Sequence, residues 1–196
     1  MSLLELVDDA NTDKNTAHSY LGLYEQLLKT KKTTAKHVLE VGIQNGGSIK
    51  LWSDFFTNAT VYGMDLDDGG RIQTDIAGKP NIVLLTSIDA YSDEVFSKEI
   101  LGRNIKFDFM LDDGPHTYES MVKFIHLYSQ VMTDDGILII EDVQNIDWLD
   151  YLKNEVPQHL RQYVLTYDLR ENKGRYDDIV FTIDKRIGKH VNCASV

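Results

Sequence analysis

The stretch VLEVGIQNGG, Val38–Gly47, decides how the rest of the chain is read. An apolar strand-like run ends at Gly42. Gly46 and Gly47 then open the segment GGSIKLWSDFF (46–56), where Ile49, Leu51, Trp52, Phe55 and Phe56 fall at near-helical spacing. A glycine placed after a strand and before a helix lets a ligand approach the backbone where a side chain would otherwise stand. The spacing is Glu-x-Gly-x-x-x-Gly, not the Gly-x-Gly-x-x-Gly of dinucleotide enzymes. The next apolar run, TVYGMD (60–65), ends in Asp65, where a carboxylate accepts hydrogen bonds from a ribose diol. Together these features imply an adenosine cofactor, either nicotinamide-linked or S-adenosylmethionine. The competing reading is a plain tight turn, with Glu40 pointing outwards from its strand. Ser87, Ile88 and Asp89, in LLTSIDAY (84–91), follow the third strand, where an adenine would lie.

Outward from this turn the pattern repeats. HVLEVG, TVYGMD, FDFMLDD (107–113) and GILIIED (136–142) are each followed by turn residues, and NIVLLT (81–86) supplies a further strand. TYESMVKFIHLYSQVM (117–132) carries Met121, Phe124, Ile125, Tyr128 and Val131 at helical spacing, so the alternation predicts an α/β domain with a parallel sheet. NTAHSYLGLYEQLL (15–28) predicts a leading helix capped by Asn15 or Thr16. At the other end, the helix WLDYLKNEV (148–156) stops near Pro157, and YVLTYDLR and DDIVFTID flank the polar ENKGRY as an antiparallel hairpin. The expected organisation is one domain over 1–196, with a helical lead-in over 1–35 and a flexible tail over 188–196. Whether the chain is a module of a larger enzyme stays open.

Composition narrows the functions. With 42% hydrophobic and 26% charged residues the balance is that of a soluble globular domain, and no apolar run approaches the roughly 20 residues of a membrane span. A formal charge of −11 disfavours a nucleic-acid partner, whose binding draws on basic residues. The amino terminus carries acids where a secretory signal carries Lys or Arg, and Cys193 is the only cysteine, so a reducing cytoplasm is expected.

Two acidic motifs end neighbouring strands, MLDDGPH (110–116) and IIEDV (139–143). In a doubly wound sheet the functional crevice lies outside the carboxyl ends of the strands, so Asp113, Glu141 and Asp142 are expected on one rim. Three carboxylates there repel one another, and a divalent cation with hard oxygen preferences, Mg2+ or Mn2+, relieves that repulsion. His116, beyond a Gly-Pro bend, suits a general base because it titrates near neutrality. TDDG (133–136) is equally acidic but precedes a strand, which assigns it to the opposite edge.

Taken in order, TDKNTAHSYLGLYEQLL, VLEVGIQNGGSIKLW, VYGMD, MLDDGPHTYE, LIIEDVQ and RYDDIVF resemble the class I S-adenosylmethionine-dependent methyltransferases, and more narrowly the metal-dependent sugar O-methyltransferases of macrolide type. The resemblance implies a Rossmann-like, doubly wound, seven-stranded sheet of order 3-2-1-4-5-7-6 with its last strand pair antiparallel. It implies cofactor contacts from Glu40 and Gly42 on the methionine side, Asp65 on the ribose, Ser87 and Ile88 at the adenine, and Thr16 and Tyr20 from the opening helix. Gly46 and Asp112 complete the expected cofactor side. It also implies magnesium on Asp113, Glu141 and Asp142, with His116 as base. Pro115 stands where the family commonly has Ser, and the long amino-terminal region of the macrolide-sugar enzymes has no counterpart.

The function expected is therefore methyl transfer to a sugar hydroxyl, a deoxyhexose such as rhamnose on a glycan or glycosylated metabolite. Lys173, Arg175, Tyr176 and Asp178 are candidates to frame that acceptor. The alternatives are a catechol-type O-methyltransferase, a nicotinamide-dependent sugar-modifying enzyme and a non-catalytic scaffold. A homo-oligomer is compatible with all of them.

Overall fold

The computed structural model describes residues 1–187; the tail expected to be flexible, 188–196, and Cys193 within it lie outside the described residues. Seven strands form one sheet: β1 (His37–Val41), β2 (Thr60–Met64), β3 (Ile82–Leu85), β4 (Phe107–Asp112), β5 (Met132–Ile140), β6 (Val164–Asp168) and β7 (Ile179–Asp184). Their order is β3-β2-β1-β4-β5-β7-β6, as the family resemblance implies. The first five strands run parallel, and β7 is antiparallel to both β5 and β6.

Strand periodicity divides the core in two. Val38, Phe109, Leu111, Ile137 and Ile139 face a layer containing Trp52, Phe55, Phe56 and Tyr24. Leu39, Met110, Leu138 and Ile140 face Phe96, Phe124 and Tyr128 on the other side. Successive residues point to opposite faces, so a strand covered on both sides is apolar on both, which is why FML (109–111) and ILII (137–140) are unbroken apolar runs. The helices Gly47–Phe55 and Tyr118–Tyr128 form where helical spacing predicts them. Among the described residues no helix is long and apolar enough to cross a membrane.

Because the chain moves outward from β1 to β3 and then returns to β4 on the other flank of β1, the order reverses between β1 and β4. That reversal opens a crevice beyond their carboxyl ends.

The leading helix differs from expectation. It spans Leu21–Leu28, with Tyr20 at its N-cap position and no side-chain cap. Asn15 and Thr16 do not cap it, because residues 8–20 form turns that cross the carboxyl edge of the sheet, with Tyr20 N–H bonded to the Lys14 carbonyl (3.1 Å) and His18 N–H to that of Asp13 (3.0 Å). TDDG also differs in detail. It lies inside the amino-terminal part of β5, where pairing with β4 jumps from Phe107–Met132 to Phe109–Ile137 and the intervening residues bulge out.

Candidate active site

Gly42 has φ of 90°, and a Cβ there would overlap the backbone carbonyl of Asp113. Only glycine lets the turn after β1 touch the turn after β4 this closely. Gly114 has a similar reason, since a Cβ would collide with the Tyr91 hydroxyl. These contacts shape a cavity of about 540 Å3 over the β1–β4 switch. Gly42, Asp65 and Ile88–Tyr91 line one side of it, Asp113–His116 and Asp142 the other, and Asn11–Asp13 its roof.

The expected cofactor residues separate into two groups. Gly42, Asp65 and Ile88 line the cavity. Asp65 also braces the glycine turn, its Oδ2 accepting from Ile43 N–H (2.7 Å) and Gln44 N–H (3.2 Å). Ser87, at φ 58°, lines an adjoining cavity of about 410 Å3 shared with Asp65. Glu40, Gly46, Asp112, Thr16 and Tyr20 do not line the main cavity. Strand alternation puts Glu40 on the Trp52 face, fully buried, where it accepts from Trp52 Nε1 (2.9 Å); it neither points outwards nor reaches the crevice. Gly46, at φ 83°, packs against Ile72. Thr16 is exposed, and its carbonyl accepts from Lys173 Nζ (3.0 Å). Tyr20 is buried and donates its hydroxyl to Asp142. Asp112 is buried behind the turn; burial pushes its carboxyl up to about 7, against the opposing effect of the Tyr91 hydroxyl bonded to it.

The acidic rim is assembled, with one rearrangement. His116 Nε2 lies 3.2 Å from Asp113 Oδ1 and 3.6 Å from Asp142 Oδ2, and single ligand atoms of these three residues all lie within 4.8 Å of one another. Both His116 (φ 55°) and Asp142 (φ 54°) adopt the left-handed region, uncommon outside glycine and concentrated at functional sites. Glu141 turns inward instead: one of its oxygens accepts from Lys14 and the other from Tyr24. Lys14 is fully buried and also donates to Asp113 Oδ2 at 2.6 Å. Burial disfavours the Lys14 ammonium, but Asp113, Glu141 and Glu40 outweigh it and hold the ammonium charged. Burial likewise works to raise Asp113, yet Lys14 and His116 bring it down to about 2. For His116, burial works to lower the imidazole value; the hydrogen bond to Asp113 and the charges of Asp142 and Asp113 reverse that, and the net shift is upward.

The four acceptor candidates also divide. Asp178 is fully buried, paired with His18 Nδ1 (2.7 Å) and accepting from the Ser19 hydroxyl (2.8 Å), so it clamps the 8–20 segment and does not face an acceptor. Lys173 holds the carbonyls of Asn15 and Thr16, and Arg175 is bound to Asp177. Tyr176 is exposed, as is Lys173; the Tyr176 hydroxyl donates to Gln144 (2.8 Å), which bonds in turn to the Asp142 carbonyl (2.9 Å). Sequence reasoning missed Lys14, His18, Tyr24 and Tyr91. A solitary lysine in a polar segment carries no periodic sign of burial; the tyrosines sit in segments that read as ordinary helix and turn.

No family model matches the chain. Over 70% of its length it is 26% identical to the 8-demethyl-8-alpha-L-rhamnosyl tetracenomycin-C 2'-O-methyltransferase of Streptomyces olivaceus, covering 36% of that protein. It is 25% identical over 68% of its length to the L-olivosyl-oleandolide 3-O-methyltransferase of Streptomyces antibioticus, covering 35% of it. The chain thus spans about a third of the length of these curated relatives. Among solved structures, MycE methyltransferase from the mycinamycin biosynthetic pathway, in complex with Mg, SAH and mycinamycin VI, superposes with a TM-score of 0.71 at 19% identity, over 94% of this chain and 53% of that one. The chain has the class I methyltransferase fold, and its sequence similarity is to sugar O-methyltransferases.

Proposed function

We propose that the chain transfers a methyl group from S-adenosylmethionine to a sugar hydroxyl, with Mg2+ or Mn2+ beside His116. The observation that carries this reading is the meeting of Asp113, His116 and Asp142 on the wall of the same cavity that the Gly42 turn opens. The carboxylate oxygens of Asp113 and Asp142 suit a hard divalent ion, so they fit such a cation, with the His116 imidazole beside them kept for the proton. Asp113 and Asp142 present oxygens to it from the cavity wall, and Glu141 stands behind them against Lys14. The relatives named for rhamnosyl and olivosyl acceptors support a deoxyhexose, and the net charge of −11 argues against nucleic acid.

A divalent cation held by Asp113 and Asp142 would supply local positive charge that eases loss of the acceptor hydroxyl's proton. His116, which lines the cavity beside Asp113, takes that proton on its imidazole. S-adenosylmethionine, when bound, would supply the methyl group: the oxygen–carbon bond would form as the carbon–sulfur bond breaks, with the electron pair left on sulfur. Gly42, Asp65 and Ile88, which line the cavity at the ends of β1 to β3, would hold the cofactor there, so that proximity would supply much of the rate.

The test is calorimetry with each cofactor, followed by labelled S-adenosylmethionine with Mg2+ against a panel of simple glycosides, rhamnosides first. Binding of S-adenosylmethionine and transfer to a glycoside are expected. Tight NAD binding without S-adenosylmethionine binding would overturn the proposal.

A further inference from the structure

We propose that Lys14 is a positioning residue whose ammonium takes the place of a second metal ion, so that the acidic cluster accepts one divalent cation instead of two. The inference rests on the functional reading above, which puts a cation beside Asp113, His116 and Asp142.

The geometry is that of a shared carboxylate. Asp113 Oδ2 accepts from Lys14 Nζ at 2.6 Å, while its Oδ1 faces His116 Nε2 at 3.2 Å. One carboxylate therefore joins two cationic positions, the arrangement by which two-metal centres hold ions about 3.5–4 Å apart. On the far side of Asp113 the partners of Nζ are all hard oxygens. Glu141 accepts directly from Nζ and also from the Tyr24 hydroxyl. Glu40 Oε1 lies 3.5 Å from Nζ, is fully buried and has no hydrogen-bond partner among the described residues. Three carboxylates reached from β1 and from the ends of β4 and β5, with a phenol beside them, form an oxygen cage of the kind divalent ions occupy. An ammonium, a compact point charge with three donors, answers the same cage with a single positive charge.

Lys14 reaches this position from outside the sheet. It comes from the turn segment 8–20, which Lys173 ties down through the Asn15 and Thr16 carbonyls, and Asp178 through His18 and Ser19. The ammonium thus enters the cage only when that segment lies across the carboxyl edge. Its effect is to hold one oxygen of Asp113 and leave the other for the cation beside His116.

Mn2+ is the probe, added to metal-free chain and followed by calorimetric stoichiometry and by electron paramagnetic resonance. The wild type is expected to bind one Mn2+. Lys14→Ala, which opens the ammonium's space, is expected to bind two, with the spectrum broadened by spin coupling between neighbouring ions. Lys14→Met fills that space without charge and is expected to stay at one. If Lys14→Ala does not fold without metal, folding on Mn2+ addition with two ions per chain supports the inference, and failure to fold at millimolar Mn2+ overturns it. A wild type that binds two ions, or a folded Lys14→Ala that binds one with unchanged affinity, overturns it while leaving the functional reading standing. A wild type that binds no Mn2+ overturns both.

Discussion

Two turns of nearly the same composition sit at opposite rims of the sheet. Asp112–Asp113–Gly114 leaves the carboxyl end of β4, and Thr133–Gly136 bulges from the amino-terminal part of β5. At the first, Asp113 is three-quarters buried between Lys14 and His116 and lines the cavity. At the second, the Asp134 side chain is fully exposed, 3.9 Å from Lys185, and Asp135 makes a 2.6 Å ion pair with Lys31. Composition does not separate them. What does is whether the chain is leaving or entering a parallel strand, because the crevice forms only beyond carboxyl ends.

The sharpest way to break this comparison is mutation at matched positions. His116→Ala is expected to lower methyl transfer by about a hundred- to ten-thousand-fold, the range of a lost general base. Asp113→Asn is expected to fall by a similar order, with weaker Mn2+ binding. Asp134→Asn should leave transfer unchanged and stability within about 0.5 kcal/mol. Equal losses at Asp113 and Asp134, measured as initial rates, would remove the distinction.

Next in size is Gly42→Ala. The new Cβ meets the Asp113 carbonyl at a positive φ, so the chain must bear overpacking together with an unfavourable backbone, a cost of about 1–3 kcal/mol read from the urea midpoint. Cofactor binding should weaken with it, since the turn after β1 can no longer rest on the turn after β4.

The pH dependence is smaller and has a definite sign. In the metal-free chain His116 titrates above 6.5, because its hydrogen bond to Asp113 and the charges of Asp142 and Asp113 outweigh burial. The stabilisation from its imidazolium is complete below 6.5 and fades as pH rises through the folded value. Following the imidazole resonance should show Asp113→Asn lowering that midpoint and Asp134→Asn leaving it in place. Transfer itself should fall as pH drops, since protonated His116 accepts no proton.

Much of this was legible in the sequence. Unbroken apolar runs such as FML (109–111) and ILII (137–140) announce strands buried on both faces, and Gly42 announces a close approach. What it approaches, the Asp113 carbonyl, follows only from strand order. The pairing of Asp113 with His116 was readable because three residues across a Gly-Pro bend keep both at one strand end. Glu141 and Glu40 were harder. Each sits in a strand-end or strand motif that reads as facing the cofactor or metal, and each turns towards Lys14, whose position depends on contacts 99 and 127 residues away. Asp178 escaped for a similar reason: RYDDIV looks like a solvated loop until His18 and Ser19 arrive from the other end of the chain.

The central claim is that a cation held at the Asp113–His116–Asp142 rim is needed for methyl transfer to a sugar. The most direct measurement is transfer from labelled S-adenosylmethionine to an alkyl rhamnoside, first with Mg2+, then with excess chelator, then with Mg2+ restored. Transfer, its loss and its recovery are expected in that order. Transfer that continues undiminished in chelator would contradict the claim.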